Sequence, residues 1–105
     1  MLQEVKERST AYLTASFLDR NNSPAAPTSG TYRIDCLTTG TQIVGDTALP
    51  AGSAPEIVLT PTINRIIQSG NVREKRRVTV RGVYGSGDEV NDKYEYYVVN
   101  LSGVT

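Results

Sequence analysis

The sequence predicts an all-β protein built as a single antiparallel β-sandwich of six to seven strands. Val, Ile, Thr and Tyr are abundant, and these residues suit the pleated, half-buried surface of a sheet. Apolar and polar residues alternate over short segments, which turn residues separate about every 8–12 positions. Helix-forming residues occur in no long periodic run, so helices do not compete with this interpretation.

The first part of the chain predicts an arm, a strand and a long turn. Residues 1–8 are rich in charge and too short for a helix that is stable alone, so we interpret them as an arm leading into a domain of residues 9–105. Alternation over residues 11–18 predicts the first strand. The segment DRNNSPAAPTSG that follows has two prolines among Asn, Ser and Gly, which is typical of a turn.

The middle of the chain predicts three more strands and one ambiguous segment. Residues 31–37 alternate so that the even-numbered side chains, Cys36 among them, face inward. Residues 41–44 and 56–60 are short strands bounded by Gly or Pro. Residues 64–68 fit either a short strand or one helical turn.

The last third predicts the two longest strands. Residues 72–84 form one strand, residues 85–89 a hairpin loop and residues 93–101 the final strand. The alternation in several strands together predicts a common core. We expect its members to include Leu13, Phe17, Ile34, Val78 and Val80.

Composition limits the classes of function. A chain of 105 residues is enough for one domain, and its eleven cations balance its eleven anions. Cys36 is the only cysteine, so an internal disulfide cannot form. Residues 1–8 do not resemble a signal peptide, and no apolar run is long enough for a bilayer, so we expect synthesis in the cytoplasm and no membrane contact.

The sequence offers no recognisable catalytic site. It contains no histidine, which is the commonest general base and metal ligand. The alternation buries Cys36 as a small apolar residue, which favours an inert thiol. Asp88, Glu89 and Asp92 lie close together but lack the spacing of a calcium loop, so a soluble hairpin is favoured over a weak cation site. We therefore expect no catalytic residue, no metal and no cofactor.

A basic run on the longest strand is the first of two features that suggest a partner. Arg73, Lys75, Arg77 and Arg81 project from one face of the strand, where they repel one another unless solvated or paired. The run fits a solvated face that resists aggregation, a contact with an acidic protein, or a phosphate contact. Few aromatic residues interleave the cations and the net charge is zero, which does not favour nucleic acid.

The final strand is the second feature, because it is apolar on both faces. Tyr94, Tyr96 and Val98 share one face, whereas Tyr97, Val99 and Leu101 share the other. The second group is covered either by the chain's own loops or by another subunit. Tyrosine is favoured at protein interfaces, so Tyr97, Val99 and Leu101 join the four cations as candidate interface residues.

Three segments together resemble small immunoglobulin-like β-sandwich proteins encoded among the structural genes of tailed bacteriophages. These are TAYLTASFLD, SPAAPTSGTYRIDCLTTGTQIV and KYEYYVVNLSG, and the likeness runs from Ser9 to Leu101. The resemblance implies an immunoglobulin-like fold and a role in the virion, as a capsid decoration or a head–tail or tail component. It offers no catalytic motif, and the cysteine pair and core tryptophan of antibody domains are missing.

These observations together predict a non-enzymatic structural protein of a virion. Its partners would be other virion proteins in a symmetric multimeric assembly, where repetition strengthens weak contacts. The alternative is a carbohydrate- or receptor-binding module on a fibre or a cell surface, for which Tyr12 and Tyr97 are the candidate stacking residues. A nucleic-acid-binding module and an enzyme are the remaining alternatives, and the residues favour them least.

Overall fold

A computed structural model describes residues 3–102, and these residues form seven β-strands and no helix. The strands fall into two sheets, so the all-β prediction is confirmed. Their bounds are β1 Gln3–Lys6, β2 Ala11–Thr14, β3 Ser29–Cys36, β4 Thr41–Ala48, β5 Glu56–Leu59, β6 Arg73–Val83 and β7 Glu89–Val99. No helix in this range could span a membrane.

The larger sheet has five strands in the order β1-β7-β6-β3-β4. β6 and β7 form a long hairpin whose antiparallel register runs without interruption from Arg73↔Val99 to Val83↔Glu89. β1 pairs with β7 in parallel, so the prediction of a purely antiparallel fold is wrong at this edge. A parallel pair needs a long connection rather than a tight turn, and here the connection is nearly the whole chain.

The smaller sheet consists of β2 and β5 in antiparallel pairing. The extended chain continues past β2, since Ala15 N donates to Pro55 O at 2.9 Å and Phe17 N donates to Ser53 O at 2.7 Å. This explains why alternation over residues 11–18 predicts a longer strand than Ala11–Thr14. Tyr12 and Val58 face each other on the outer side of this sheet, where they are 66% and 42% exposed.

Both sheets contribute to one hydrophobic core. Phe17, Ile34, Val78 and Val80 are buried there as predicted, whereas Leu13 is only half-buried at its margin. Five further members of the cluster are not among the predicted core residues. These are Ile57, Leu59, Ile66, Tyr96 and Val98. Phe17 lies directly over Gly82, where an added Cβ would be 2.6 Å from its ring.

The described part of the predicted arm is strand β1, together with a turn at Glu7 and Arg8. Val5 packs against the core, and Glu7 is buried with its carboxylate accepting a hydrogen bond from Leu101 N at 2.6 Å. Backbone pairing with β7 holds a segment that has too little apolar alternation to be recognised from sequence. Residues 1 and 2 of the arm lie outside the described residues.

The ambiguous segment over residues 64–68 is neither a strand nor a helix; it is a series of turns and bends. Asn64 anchors it, because its buried side chain donates to Ser9 O at 2.8 Å and to Leu59 O at 3.2 Å. The amide oxygen of Asn64 accepts a hydrogen bond from Tyr96 Oη at 2.8 Å. Side-chain hydrogen bonds therefore replace regular secondary structure here.

Candidate protein-binding surface

Six of the seven candidate interface residues lie together on the outer face of the five-stranded sheet, which we call the charged face. The odd-numbered residues of β6 and β7 point outward, because Val78, Val80, Tyr96 and Val98 occupy the core. The register places Lys75 opposite Tyr97 and Arg73 opposite Val99. Leu101 follows β7 and is 44% exposed.

The cations of the charged face have carboxylate neighbours in the same sheet. The pairs are Arg73–Glu4 at 3.7 Å, Lys75–Glu95 at 3.5 Å and Arg81–Glu89 at 2.8 Å. The hydrogen bond from Arg81 also lowers the pKa of Glu89 below its ordinary value. These carboxylates offset the repulsion that was expected between the cations of β6. They lie close to β6 because of the strand order, which the sequence alone does not reveal. An acidic partner would have to compete with these carboxylates.

Arg77 is the cation at the centre of this face. Its cross-strand neighbours are Asp35 on β3 and Glu95 on β7. Asp35 is already bonded to Arg33 at 3.2 Å, and Glu95 lies 3.5 Å from Lys75 and 3.8 Å from Lys93. The Nε of Arg77 is enclosed and has no hydrogen-bond partner among the described residues. The two carboxylates nearest to Arg77 in the sheet are therefore already paired with other cations.

The chain itself covers part of the apolar stripe of β7. The guanidinium carbon of Arg73 lies 4.1 Å from the centroid of the Tyr97 ring, which is a cation–π contact. Tyr97 and Val99 are half-buried as a result of their neighbours in the sheet. The sequence alone leaves open whether the chain or a partner covers this stripe, and the structure shows that the chain covers part of it.

The end of the stripe remains open, and a further exposed apolar residue lies beside it. Val72 is 80% exposed, and its carbonyl accepts a hydrogen bond from Asn100 N at 2.8 Å. Val72 therefore lies beside the end of β7, close to where Leu101 is exposed. Val72 has the parity of the inward-facing residues of β6, so it lies at the end of the hairpin and not in the outward row of Tyr97, Val99 and Leu101. We call these four residues together the apolar patch. A signal for Val72 existed, since it is an apolar residue placed directly between turn residues and a run of charge.

A buried ion pair lies under the same strand. Glu74 and Arg76 are both fully buried, and Arg76 Nη2 lies 2.7 Å from Glu74 Oε1. Their positions could have been found from sequence, because they share the parity of Val78 and Val80. A charged pair on the inward face of a strand needs partners to offset the loss of hydration.

The loop before β6 supplies those partners. The Glu74 carboxylate accepts hydrogen bonds from Ile67 N at 3.0 Å, Gln68 N at 2.9 Å and Asn71 Nδ2 at 3.0 Å. Burial alone would raise the pKa of Glu74, but these bonds and the one from Arg76 outweigh burial and lower it. Arg76 also donates to Ile63 O at 2.6 Å and to Arg65 O. The pair thus fixes the loop to the sheet and has a structural role.

Tyr96 is the other buried polar contact of this region. Burial raises the pKa of its hydroxyl to about 12, with a smaller opposing effect from Arg76. The neutral hydroxyl donates to Asn64 Oδ1 and ties β7 to the same loop. The loop is thus hydrogen-bonded both to the ion pair on β6 and to Tyr96 on β7, at the same end of the hairpin.

The remaining candidates for chemistry are dispersed. Cys36 is buried and free, as predicted, with Sγ 3.9 Å from Glu74 Oε1. Asp88 lies in the hairpin loop, 3.9 Å from Arg20, and both side chains are largely exposed. Residues 3–102 contain no cluster of His, Cys, Asp and Glu side chains that could hold a metal ion. Tyr12 and Tyr97, the candidate sugar-stacking residues, lie on the outer faces of different sheets.

Comparisons with protein-family models, with curated proteins and with solved structures found no match.

Proposed function

We propose that the protein is a non-enzymatic structural subunit of a virus particle, with an immunoglobulin-like β-sandwich that binds other virion proteins. The two sheets around one core support the sandwich, and the likeness of Ser9 to Leu101 to phage structural proteins supports the setting. In this proposal the contact surface is the apolar patch together with the adjoining part of the charged face.

The observation that carries the proposal is the exposure of Val72 and Leu101 at one end of the hairpin. They are 80% and 44% exposed. Leu101 follows the half-buried Tyr97 and Val99 along the chain, and Val72 lies beside Asn100 at the same end of the hairpin. Large exposed apolar side chains near a polar rim are typical of a protein-binding surface. The surrounding ion pairs satisfy the nearby charges internally, so that docking leaves few unpaired charges behind.

The contact is suited to a repeated assembly. Burying a few hundred Å² of apolar surface contributes several kcal/mol at about 25 cal/mol per Å², before association entropy is subtracted. Such a contact is weak between free molecules but strong when many copies bind one lattice. We therefore expect the free protein to be monomeric or weakly associated.

The test replaces exposed residues that do not support the core. Val72→Ser with Leu101→Ser should leave the thermal midpoint of the free protein nearly unchanged, because exposed substitutions alter stability by about 0.5 kcal/mol or less. The same variant should fail to restore a virus that lacks the gene, with little of it found in purified particles. Tyr12→Ser with Val58→Ser, on the outer face of the other sheet, is the matched control and should be incorporated normally.

A second variant tests the charged face. Lys75→Glu with Arg81→Glu should fold but dock less well if these cations contact the partner, and the defect should be larger at low salt. If this variant is incorporated normally, the two cations do not take part in the interface. Normal incorporation of the apolar-patch variant contradicts the proposed surface as a whole.

A second candidate function, sugar or receptor binding, is favoured by one observation. Tyr12 is 66% exposed, and Thr14 and Glu56 lie on the same outer face. An exposed ring beside hydroxyl and carboxylate groups offers a stacking surface and hydrogen-bonding partners for a sugar. Binding on a glycan array that Tyr12→Ser abolishes would support this function instead.

A further inference from the structure

One edge of the five-stranded sheet is only half occupied. β7 has eleven residues, but β1 has four and pairs only with Tyr96–Val99. The first part of β7, from Glu89 to Lys93, pairs with β6 on one side. Within residues 3–102, no strand pairs with its other side. A strand position in line with β1 is therefore open.

The backbone groups of this free edge point toward the open position. Glu7 N donates to Val99 O at 2.9 Å, so the amide and carbonyl of Val99 face the side of β1. Backbone groups alternate along a strand, which places those of Asn91 and Lys93 on the same side. Lys93 N donates to the neighbouring Asp92 Oδ1 at 2.8 Å, so it is not part of the ladder with β6. An added strand would replace this bond with one to its own backbone.

A groove of about 300 Å³ lies beside this edge. One wall comes from Leu13 of β2 and from Ala15 and Phe17, which follow β2 in the chain. The opposite wall comes from Val80, Val90 and Tyr94 of the hairpin. An added strand would place its backbone on β7 and every second side chain in this groove.

Asp92 is the one acidic residue that lines the groove. It lies between Val90 and Tyr94 and shares their parity, so its side chain leaves the inward side of the sheet at the exposed rim of the groove. Lys93 also lines the groove, but its ammonium lies 3.8 Å from Glu95 Oε2, and both residues have the parity of the outer face. The acid that is flanked by Val90 and Tyr94 therefore favours an occupant with a cation at that position and apolar side chains on either side.

The other long edge of the sheet is less suited to strand addition. β4 has two register shifts against β3, between Tyr32 and Ile34 and between Ile34 and Asp35. Bulges of this kind twist an edge strand and protect it from pairing. The register of β7 against β6 is regular over its whole length.

We propose that residues Glu89–Lys93 bind an extended segment of another protein as an added β-strand whose inward side chains read apolar, cation, apolar. Main-chain hydrogen bonds supply affinity in this mode of recognition, and alternate side chains supply specificity. A second copy of this chain does not fit as the occupant. Pairing through the same edge brings only Val90, Asp92 and Tyr94 to the inward side, and none of these is a cation.

This site is separate from the apolar patch, so the two proposals can fail independently. The patch lies at the end of β7 that is paired with β1, whereas the groove lies toward the hairpin loop. The experiment below uses the free protein and does not require a virus particle.

The test measures binding of a capped peptide, Thr-Val-Thr-Lys-Thr-Val-Thr, by NMR chemical-shift mapping on isotope-labelled protein. This method detects binding with a Kd of about 1 mM, which corresponds to a binding free energy of about −4 kcal/mol. We expect shifts confined to Glu89–Tyr94 and to Leu13–Phe17, with new protection of the Asn91 amide from hydrogen exchange. A peptide with Glu in place of Lys should bind about tenfold more weakly.

Two variants decide whether the edge and the carboxylate are responsible. Asp92→Lys should reverse the preference, so that the Glu peptide binds better, whereas Asp88→Lys in the hairpin loop should change neither. Asn91→Pro removes a donor on the free edge while sparing the ladder with β6, so it should fold and lose binding. Absence of binding, equal binding of both peptides, or binding retained by folded Asn91→Pro overturns the proposal. Concentration-dependent dimers that Asn91→Pro abolishes would also overturn it, because the occupant would then be a second copy.

Discussion

The buried pair Glu74–Arg76 makes the sharpest prediction about stability. Arg76→Met keeps much of the side-chain volume but removes the positive charge and three hydrogen bonds, to Ile63 O, Arg65 O and Glu74 Oε1. The carboxylate of Glu74 then stays fully buried without its ionic partner. Breaking a buried pair in this way costs about 3–5 kcal/mol. A domain of this size has a total stability of about 5–15 kcal/mol, so the variant should be only marginally folded.

The assay is urea denaturation at 25 °C, followed by circular dichroism in the far ultraviolet. The matched control is Arg77→Met, one residue along the strand on the charged face, which should cost about 1 kcal/mol or less. Both variants remove one cation from the same strand, so net charge and strand propensity change alike. If the two free energies of unfolding are equal within error, the assignment of Arg76 to a structural ion pair is refuted.

Three further predictions follow from the described contacts. Gly82→Ala should destabilise by about 1–3 kcal/mol, because the new Cβ would be 2.6 Å from the Phe17 ring, whereas Gly70→Ala, with open space around it, should have little effect in the same urea titration. The pKa of Glu74 is lowered in the folded protein, so its contribution to stability is fully present above the unfolded value of 4.5 and is lost as pH falls through the folded pKa. In Glu74→Gln, the free energy of unfolding should therefore depend less on pH in the acid range. The pKa of Tyr96 is raised from 10.0 to about 12, so stability should fall as pH rises through this range. Tyr96→Phe should remove that loss in thermal scans at high pH. The same variant should cost about 1–3 kcal/mol near neutral pH, because the Asn64 oxygen loses its hydrogen bond.

Period-two alternation was enough to predict the class of fold and part of the core. It placed Phe17, Ile34, Val78 and Val80 inward, because burial of one face dictates which residues alternate. The same rule applied to Glu74 and Arg76 would have revealed the buried pair. That inference needed only the step of following the parity of Val78 and Val80 back through a charged stretch.

Other features depend on which strands are neighbours, and the local sequence does not encode this. The carboxylates of Glu4, Glu89 and Glu95 offset the basic strand only because β7 and β1 lie beside β6 in the sheet. The short β1 has no alternation of its own and forms because β7 offers it an edge. Strand-edge vacancies such as the one at Glu89–Lys93 are equally invisible before the order of the strands is known.

The parallel pairing of β1 with β7 has a mechanical consequence. Gln3 and Val99 lie at opposite ends of this pair, so tension applied to residues 3 and 102 pulls the two strands past each other along their length. In this geometry the hydrogen bonds between the strands bear force together, whereas the ladder of a hairpin pulled at its open end breaks one bond at a time. Forced unfolding is governed by the unfolding rate rather than by equilibrium stability. The four-residue strand β1 can therefore raise the resistance of the domain to forced unfolding when force is applied to its two ends.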